Sequence, residues 1–194
     1  SYTDLGRLST RTYDATTAAN RILRSYGWDP NTGRLTSMTA VQSGTTTIQD
    51  EQFAYDANGN LIANRHDRPG STDDHRECYG YDGRNHLTSA YTTTNLTTCA
   101  GYVAGGPGAY STSYAIDEIG NFTTGPAGTY TYPASGWNST RPRAPTTAGA
   151  NSFTWNPDGT MATKTTSGVT STYAWDQFDR LRSVTKGADV TTMK

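Results

Sequence analysis

FAYDANGNL, residues Phe53 to Leu61, is the stretch on which the reading of this sequence turns. Phe53 and Tyr55 are two apart, so on an extended strand both rings stand on one face. Asp56 follows at once, and an Asp in that place accepts hydrogen bonds from the amides of a turn folding over it. Gly59 suits a position that needs a left-handed backbone, and Leu61 opens an apolar return. The nine residues spell strand, turn, strand: one β-hairpin.

The same words recur along the chain. YGWDPNTGRL (Tyr26 to Leu35), YGYDGRNHL (Tyr79 to Leu87), YAIDEIGNF (Tyr114 to Phe122), FTWNPDGTM (Phe153 to Met161) and YAWDQFDRL (Tyr173 to Leu181) are variants of the pattern aromatic-x-aromatic-Asp-x-x-Gly-x-apolar, each departing from it at one slot or by one added residue. A truncated copy, YTDLGRL, runs from Tyr2 to Leu8, and a degenerate one, YTYPASGW, from Tyr130 to Trp137. The structural turn residues are then Asp29 with Gly33, Asp56 with Gly59, Asp82 with Asn85, Asp117 with Gly120, Asn156 with Gly159 and Asp176 with Asp179. Asn and Asp are the residue types that replace Gly most readily in a left-handed position. Taken with Thr3 and Pro133, the turns are spaced 26, 27, 26, 35, 16, 23 and 20 residues. A rigid solenoid would keep one period, so the arms differ in length or carry insertions. Residues 92–109, rich in Thr and Gly, form the largest such insertion; 12–20 and 65–76 are shorter ones.

Composition agrees. The 194 residues include 36 Thr, 20 Gly, 15 Ser and 13 Tyr but three Lys, which favours strands and turns over helices. No segment has a persuasive helical period, and Thr16–Leu23 comes nearest. The expectation is an all-β fold: about eight antiparallel hairpins forming a curved, spiralling sheet, with residues 1–194 a single repeat region. No apolar run reaches the roughly 18 residues of a membrane helix. A net charge of −1 speaks against nucleic-acid binding, which asks for a basic face.

These residues resemble the RHS/YD-repeat family, whose pattern Tyr-Asp-x-x-Gly-Arg/Asn-Leu is matched around Trp28-Asp29, Tyr55-Asp56 and Tyr81-Asp82 and more weakly over nearly the whole chain. Arg141 to Thr146, leading into the Phe153 copy, is similar to a linking segment of bacterial members. The family includes bacterial polymorphic toxins, the C component of insecticidal Tc toxins, and teneurins. The resemblance implies a section of a β-shell in a secreted or cell-surface protein. Its partners would be other segments of the parent protein or copies of itself, with a toxin domain as cargo. The C-terminal core segment at which bacterial shells end has no counterpart here. The chain is also far shorter than a whole shell, so a fragment of shell wall is implied, with no protease or toxin inside it.

The polar run His66 to Cys78 holds zinc- and calcium-ligand types. It has neither a His-x-x-x-His nor a Cys-x-x-Cys spacing, and two Arg help to neutralise its acids, so a solvated hairpin tip with local salt bridges is the expectation and no metal site is assigned. Cys78 and Cys99 flank the Asp82 copy, and a disulfide between them would pin the inserted loop; the alternative is two free thiols. The repeated Asp residues invite a glycosidase reading, but recurrence at every turn explains them better as structure. Trp28, Tyr55, Tyr81, Trp155 and Trp175 form aromatic rungs, read as sheet-face packing, with carbohydrate or surface binding through an exposed aromatic face as the alternative function. Asn95, Asn121 and Asn138 begin N-x-Ser/Thr triplets, which so much Thr produces by chance. No catalytic residue and no cofactor are assigned.

Overall fold

A computed structural model describes residues 1–13, 16–103, 105–137 and 140–193. All regular structure among the described residues is β, in 17 strands that pair only antiparallel, with no helix. Thr16–Leu23 contains a backbone turn at Thr17 and then enters a strand at Ile22. Asn138 lies outside the described residues.

The chain divides into two compact units, Ser1–Thr112 and Ser113–Lys194. The first is built on one sheet whose strands lie side by side in chain order. These are β1 (Thr10–Tyr13), β2 (Ile22–Trp28), β3 (Leu35–Gln42), β4 (Thr46–Tyr55), β5 (Leu61–Asp67), β6 (His75–Tyr81), β7 (Leu87–Thr93) and β8 (Ser111–Ser113). The second unit is a sheet of β9 (Ala115–Ile116), β10 (Phe122–Gly125), β11 (Gly128–Thr131), β12 (Thr147–Ala148), β13 (Asn151–Trp155), β14 (Met161–Thr166), β15 (Val169–Trp175), β16 (Leu181–Lys186) and β17 (Asp189–Thr192), again in chain order. Each unit is thus a meander of hairpins, as sequential strands usually are neighbours.

The motif turns share one backbone design. The N–H of the Asp, or of its replacement, donates to the carbonyl of the residue after the Gly slot. In return, its own carbonyl accepts from the Gly-slot N–H. The pairs are Asp56 N to Asn60 O at 3.0 Å and Gly59 N to Asp56 O at 3.1 Å, and equivalent pairs hold at Asp29, Asp82, Asp117, Asn156 and Asp176. The slot residue has positive φ in every one of these turns: 70° at Gly33, 100° at Gly59, 65° at Asn85, 87° at Gly120, 94° at Gly159 and 58° at Asp179. At the truncated copy Thr3 takes the Asp position, its Oγ1 accepting from Arg7 N at 3.1 Å.

Pro133 has no N–H to donate and cannot make this turn. The degenerate copy accordingly has no tight hairpin: β11 ends at Thr131 and the chain returns as β12 only after residues 132–146.

One residue past the apolar slot, five hairpins skip a residue. Trp28 pairs with Leu35 but Gly27 with Ser37; Tyr55 with Leu61 but Ala54 with Ala63; Tyr81 with Leu87 but Gly80 with Ser89; Trp155 with Met161 but Thr154 with Thr163; and Trp175 with Leu181 but Ala174 with Ser183. This β-bulge turns the return strand and increases local twist. Its position relative to the turn is the same each time, so all five aromatic rungs sit opposite an aliphatic residue.

The sheets are thin. Among the described residues the buried apolar ones are Ala40, Ala63, Cys78, Ala90 and Ala148, and Cys78 is the largest fully buried side chain. Large side chains are half-buried on the sheet faces. In the second unit the face opposite the rungs carries hydroxyl pairs across strands, Thr154 with Thr163 at 2.6 Å and Thr165 with Thr170 at 2.8 Å.

Candidate functional site

The repeats are joined to each other by the motif residues themselves, along the edge where the motif turns lie. The second aromatic of one copy donates its polar hydrogen to the backbone carbonyl of the previous copy's apolar residue: Trp28 Nε1 to Leu8 O at 2.9 Å, Tyr81 OH to Leu61 O at 3.0 Å, and Trp175 Nε1 to Met161 O at 2.7 Å. Trp155 Nε1 finds Pro145 O at 2.9 Å, so the Arg141–Pro145 segment stands in for the hairpin that Pro133 prevents. A buried indole N–H normally needs such a partner.

The residue after the Gly slot reaches forward. The Arg34 guanidinium lies over Gly59, donates to Asp56 O at 3.2 Å and sits 5.6 Å from the Tyr55 ring centroid. The Arg7 guanidinium likewise lies over Gly33, 5.7 Å from the Trp28 ring centroid. Asn60 Nδ2 donates to Asn85 Oδ1 at 2.8 Å. At Gly33 and Gly59 the slot therefore stays small for two reasons, the left-handed backbone and the side chain of the preceding copy lying against it.

The turn carboxylates are held by amides. Asp82 Oδ1 accepts from Arg84 N and His86 N, both at 2.8 Å, and Asp176 Oδ1 from Phe178 N at 2.8 Å and Arg180 N at 3.0 Å. The His86 amide above all lowers the Asp82 pKa below the usual carboxylate value, and the Arg180, Asn121 and Thr32 amides do the same for Asp176, Asp117 and Asp29. For Asp56 the Asn60 side chain is the main cause. Asn156, without a charge, donates Nδ2 to Thr160 Oγ1 at 2.9 Å, and Asp158 accepts the Thr160 amide instead. Each carboxylate is thus engaged with its own turn.

The rungs Trp28, Tyr55, Tyr81, Trp155 and Trp175 are all half-buried. Within each unit successive rungs lie two strands apart, with Leu35, Leu61 or Met161 between them, so each ladder alternates aromatic and aliphatic. That is a cross-strand packing pattern.

Away from the turns, a polar chain crosses the first sheet on the rung face. Gln49 Nε2 donates to Glu51 Oε1 at 2.5 Å; Glu51 Oε1 lies 3.6 Å from His66 Nδ1; His66 Nε2 lies 3.3 Å from Glu77 Oε2; and Glu77 accepts from Tyr79 OH at 2.9 Å and Tyr110 OH at 3.3 Å. Burial pushes the Glu77 carboxyl up, but these hydrogen bonds and the His66 ring together outweigh it and hold the group below its usual value. Burial and the Glu77 carboxylate push Tyr79 far up, so it stays a donor.

This corrects the reading of residues 66–78 as a solvated hairpin tip. Only Arg68 to Asp74 forms the tip, closed by Arg68 N donating to Asp74 Oδ1 at 2.7 Å. His66 ends up in β5, and His75, Glu77 and Cys78 in β6. The salt bridges are present: Arg65 pairs with Asp67, and with Asp50 at 3.9 Å. Cys78 and Cys99 are joined in a disulfide with Cα atoms 5.8 Å apart, tying the loop after β7 to the centre of β6. Tyr91 OH, donating to Cys99 O at 3.0 Å, adds a second tie.

No protein-family model matches the sequence, and a comparison with curated proteins gives no match. Solved structures do match. The meander has the fold found in Tc toxin complexes. It aligns with a Tc holotoxin pore of Photorhabdus luminescens carrying a substitution in TccC3, at TM-score 0.50 and 18% identity over 95% of this chain. It aligns equally with TcdB2–TccC3, at TM-score 0.50 and 18% identity over 98%. The chain spans 11% and 12% of the length of those two chains. At this identity the likeness is one of fold, and it agrees with the RHS/YD-type hairpin array expected from the motifs.

Proposed function

We propose that these residues are a non-enzymatic wall segment of an RHS/YD-type shell in a secreted or cell-surface protein, where the shell encloses a C-terminal toxin domain. The observation that carries this reading is the coupling between neighbouring hairpins within each unit. The same donor and acceptor recur at Trp28 and Leu8, Tyr81 and Leu61, and Trp175 and Met161, so such an array extends by adding hairpins. The recurring geometry of turns and bulges supports the same reading, since the Asp82 and Asp176 carboxylates are engaged with the amides of their own turns. The likeness to Tc toxin complexes supports the same reading at the level of fold.

Carbohydrate or surface binding through the rungs is the weaker alternative. The indole N–H groups of Trp28, Trp155 and Trp175 are already given to backbone carbonyls, and their rings are half-covered by neighbouring hairpins.

The test is protease protection of the parent protein. Under the wall reading, the region C-terminal to the repeats resists protease in the intact protein and is cut once the array is unfolded by denaturant. Free cleavage of that region in the native protein would overturn the proposal, as would a glycan ligand that quenches the tryptophan fluorescence at micromolar concentration.

A further inference from the structure

We infer that His66, His75 and Glu77 form a binding site for a divalent transition-metal ion of the Zn²⁺ class, on the rung face of the first sheet. Sequence spacing hides the site, because its ligands come from two strands. His66 in β5 is paired in register with His75 in β6, and Glu77 lies two residues on from His75, on the same face. One ligand atom from each of the three lies within 4.8 Å of the others.

The distances suit a metal. Zinc bonds to nitrogen and oxygen of roughly 2.0–2.1 Å, arranged tetrahedrally, set neighbouring ligand atoms about 3.4 Å apart. His66 Nε2 and Glu77 Oε2 are 3.3 Å apart. The two imidazole rings lie stacked with centroids 4.7 Å apart, so a modest rotation of His75 closes the third side.

The surroundings orient the ligands. His75 Nδ1 donates to Asp73 O at 2.8 Å, which leaves the Nε2 lone pair for coordination. Glu51 Oε1 lies 3.6 Å from His66 Nδ1, on the side of the ring away from Nε2. Such outer partners are the usual companions of metal-bound histidine. Asn64 Nδ2, 2.9 Å from His66 Nε2, marks where that ring's lone pair points. Asn64 Oδ1 is buried without a hydrogen-bond partner, an oxygen that a cation can satisfy once the amide turns. Two histidines and a carboxylate with water in the fourth position make a familiar zinc donor set. Bound there, the ion would clip the hairpin of Asp56 to that of Asp82 beside the Arg68–Asp74 loop.

Isothermal titration of the chelator-stripped full chain with ZnCl₂ tests the inference. One ion per chain, bound at micromolar concentration or tighter, is expected. His66→Gln and His75→Gln each weaken binding at least tenfold, while Mg²⁺ does not compete. Glu51→Gln weakens it less. Co²⁺ provides a readout on the unsubstituted chain: a tetrahedral visible spectrum with nitrogen and oxygen ligands, accompanied by shifts of the His66 and His75 ring signals in NMR. Absence of saturable Zn²⁺ binding below about 100 μM would overturn the inference, as would unchanged affinity in folded His66→Gln and His75→Gln variants. Co²⁺ leaving both ring signals in place would do so even where the variants do not fold.

Discussion

Gly59→Ala is the substitution that measures the coupling between hairpins most directly. Gly59 has φ of 100°, outside the region an L-residue tolerates, and a left-handed backbone costs a side-chain-bearing residue about 1–2 kcal/mol. A methyl group there would also stand 2.9 Å from Arg34 Cζ, so the guanidinium has to leave. With it go the hydrogen bond to Asp56 O at 3.2 Å and the position over the Tyr55 ring, together about 1–2 kcal/mol at a half-exposed site. The expected loss is about 3 kcal/mol, or about 6–12 °C in Tm for a chain of this size. Gly44→Ala is the control in the same unit. Gly44 has φ of 77° with nothing within 4 Å of the added carbon, so only the backbone cost of about 1–2 kcal/mol applies. Urea unfolding of both variants, alone and on an Arg34→Ala background, separates the two contributions. Removing Arg34 should bring Gly59→Ala down to the Gly44→Ala value and leave Gly44→Ala unchanged. Equal losses for the two glycines with Arg34 present would refute the argument that the preceding copy's side chain occupies the slot.

Reduction of the Cys78–Cys99 bond should cost about 3 kcal/mol for a sequence separation of 21 residues, seen as a lower urea midpoint with dithiothreitol, and mass spectrometry of unreduced protein should find no alkylatable thiol. Acid should destabilise the fold through the turn carboxylates. Asp29, Asp56, Asp82, Asp117, Asp158 and Asp176 all have folded pKa values below the usual 3.8, so their stabilisation is complete above about pH 4 and is lost as pH falls through those lowered values. Urea midpoints should therefore hold steady from pH 7 to 5 and fall below pH 4; a midpoint that rises in that acid range would contradict the assignment. Light scattering of the isolated chain should show association at high micromolar concentration, because β1 and β17 leave open strand edges and the rung faces remain half-covered. A compact monomer there would mean that these residues are sufficient to themselves, contrary to the wall reading.

The hairpins were legible because everything that makes them is local. Asp56, Gly59 and Leu61 each act within a few residues, and residue type alone announces a carboxylate that caps or a backbone that turns left. Asn85 and Asp179 could be placed in the Gly slot on the same grounds. The skipped residues of the bulges were not legible, since Thr36, Ile62, Thr88, Ala162 and Arg182 range from hydroxyl through aliphatic to cationic side chains. Nor was the destination of the aromatic N–H and O–H groups, because the acceptor is a backbone carbonyl, which every residue has. The consequence of Pro133 was open to reading in principle, as the motif turn asks for an N–H at that place. His66 and His75 escaped because strand pairing, rather than any fixed interval along the chain, brings them face to face.

The carbonyl acceptors at Leu8, Leu61, Pro145 and Met161 bear on how such a chain tolerates change. A joint made to the backbone is indifferent to the side chain that hangs from it. A leucine, a methionine and even a proline serve equally, and a copy that has lost its aspartate, as at Asn156, is still held by the next one. Drift within a unit is thereby uncoupled from the integrity of the array. Length is uncoupled as well: the first sheet accommodates residues 94–110 at the end away from the motif turns, where no joint is interrupted. A protein joined in this way can diverge until little of its sequence remains recognisable while the order of its strands stays the same.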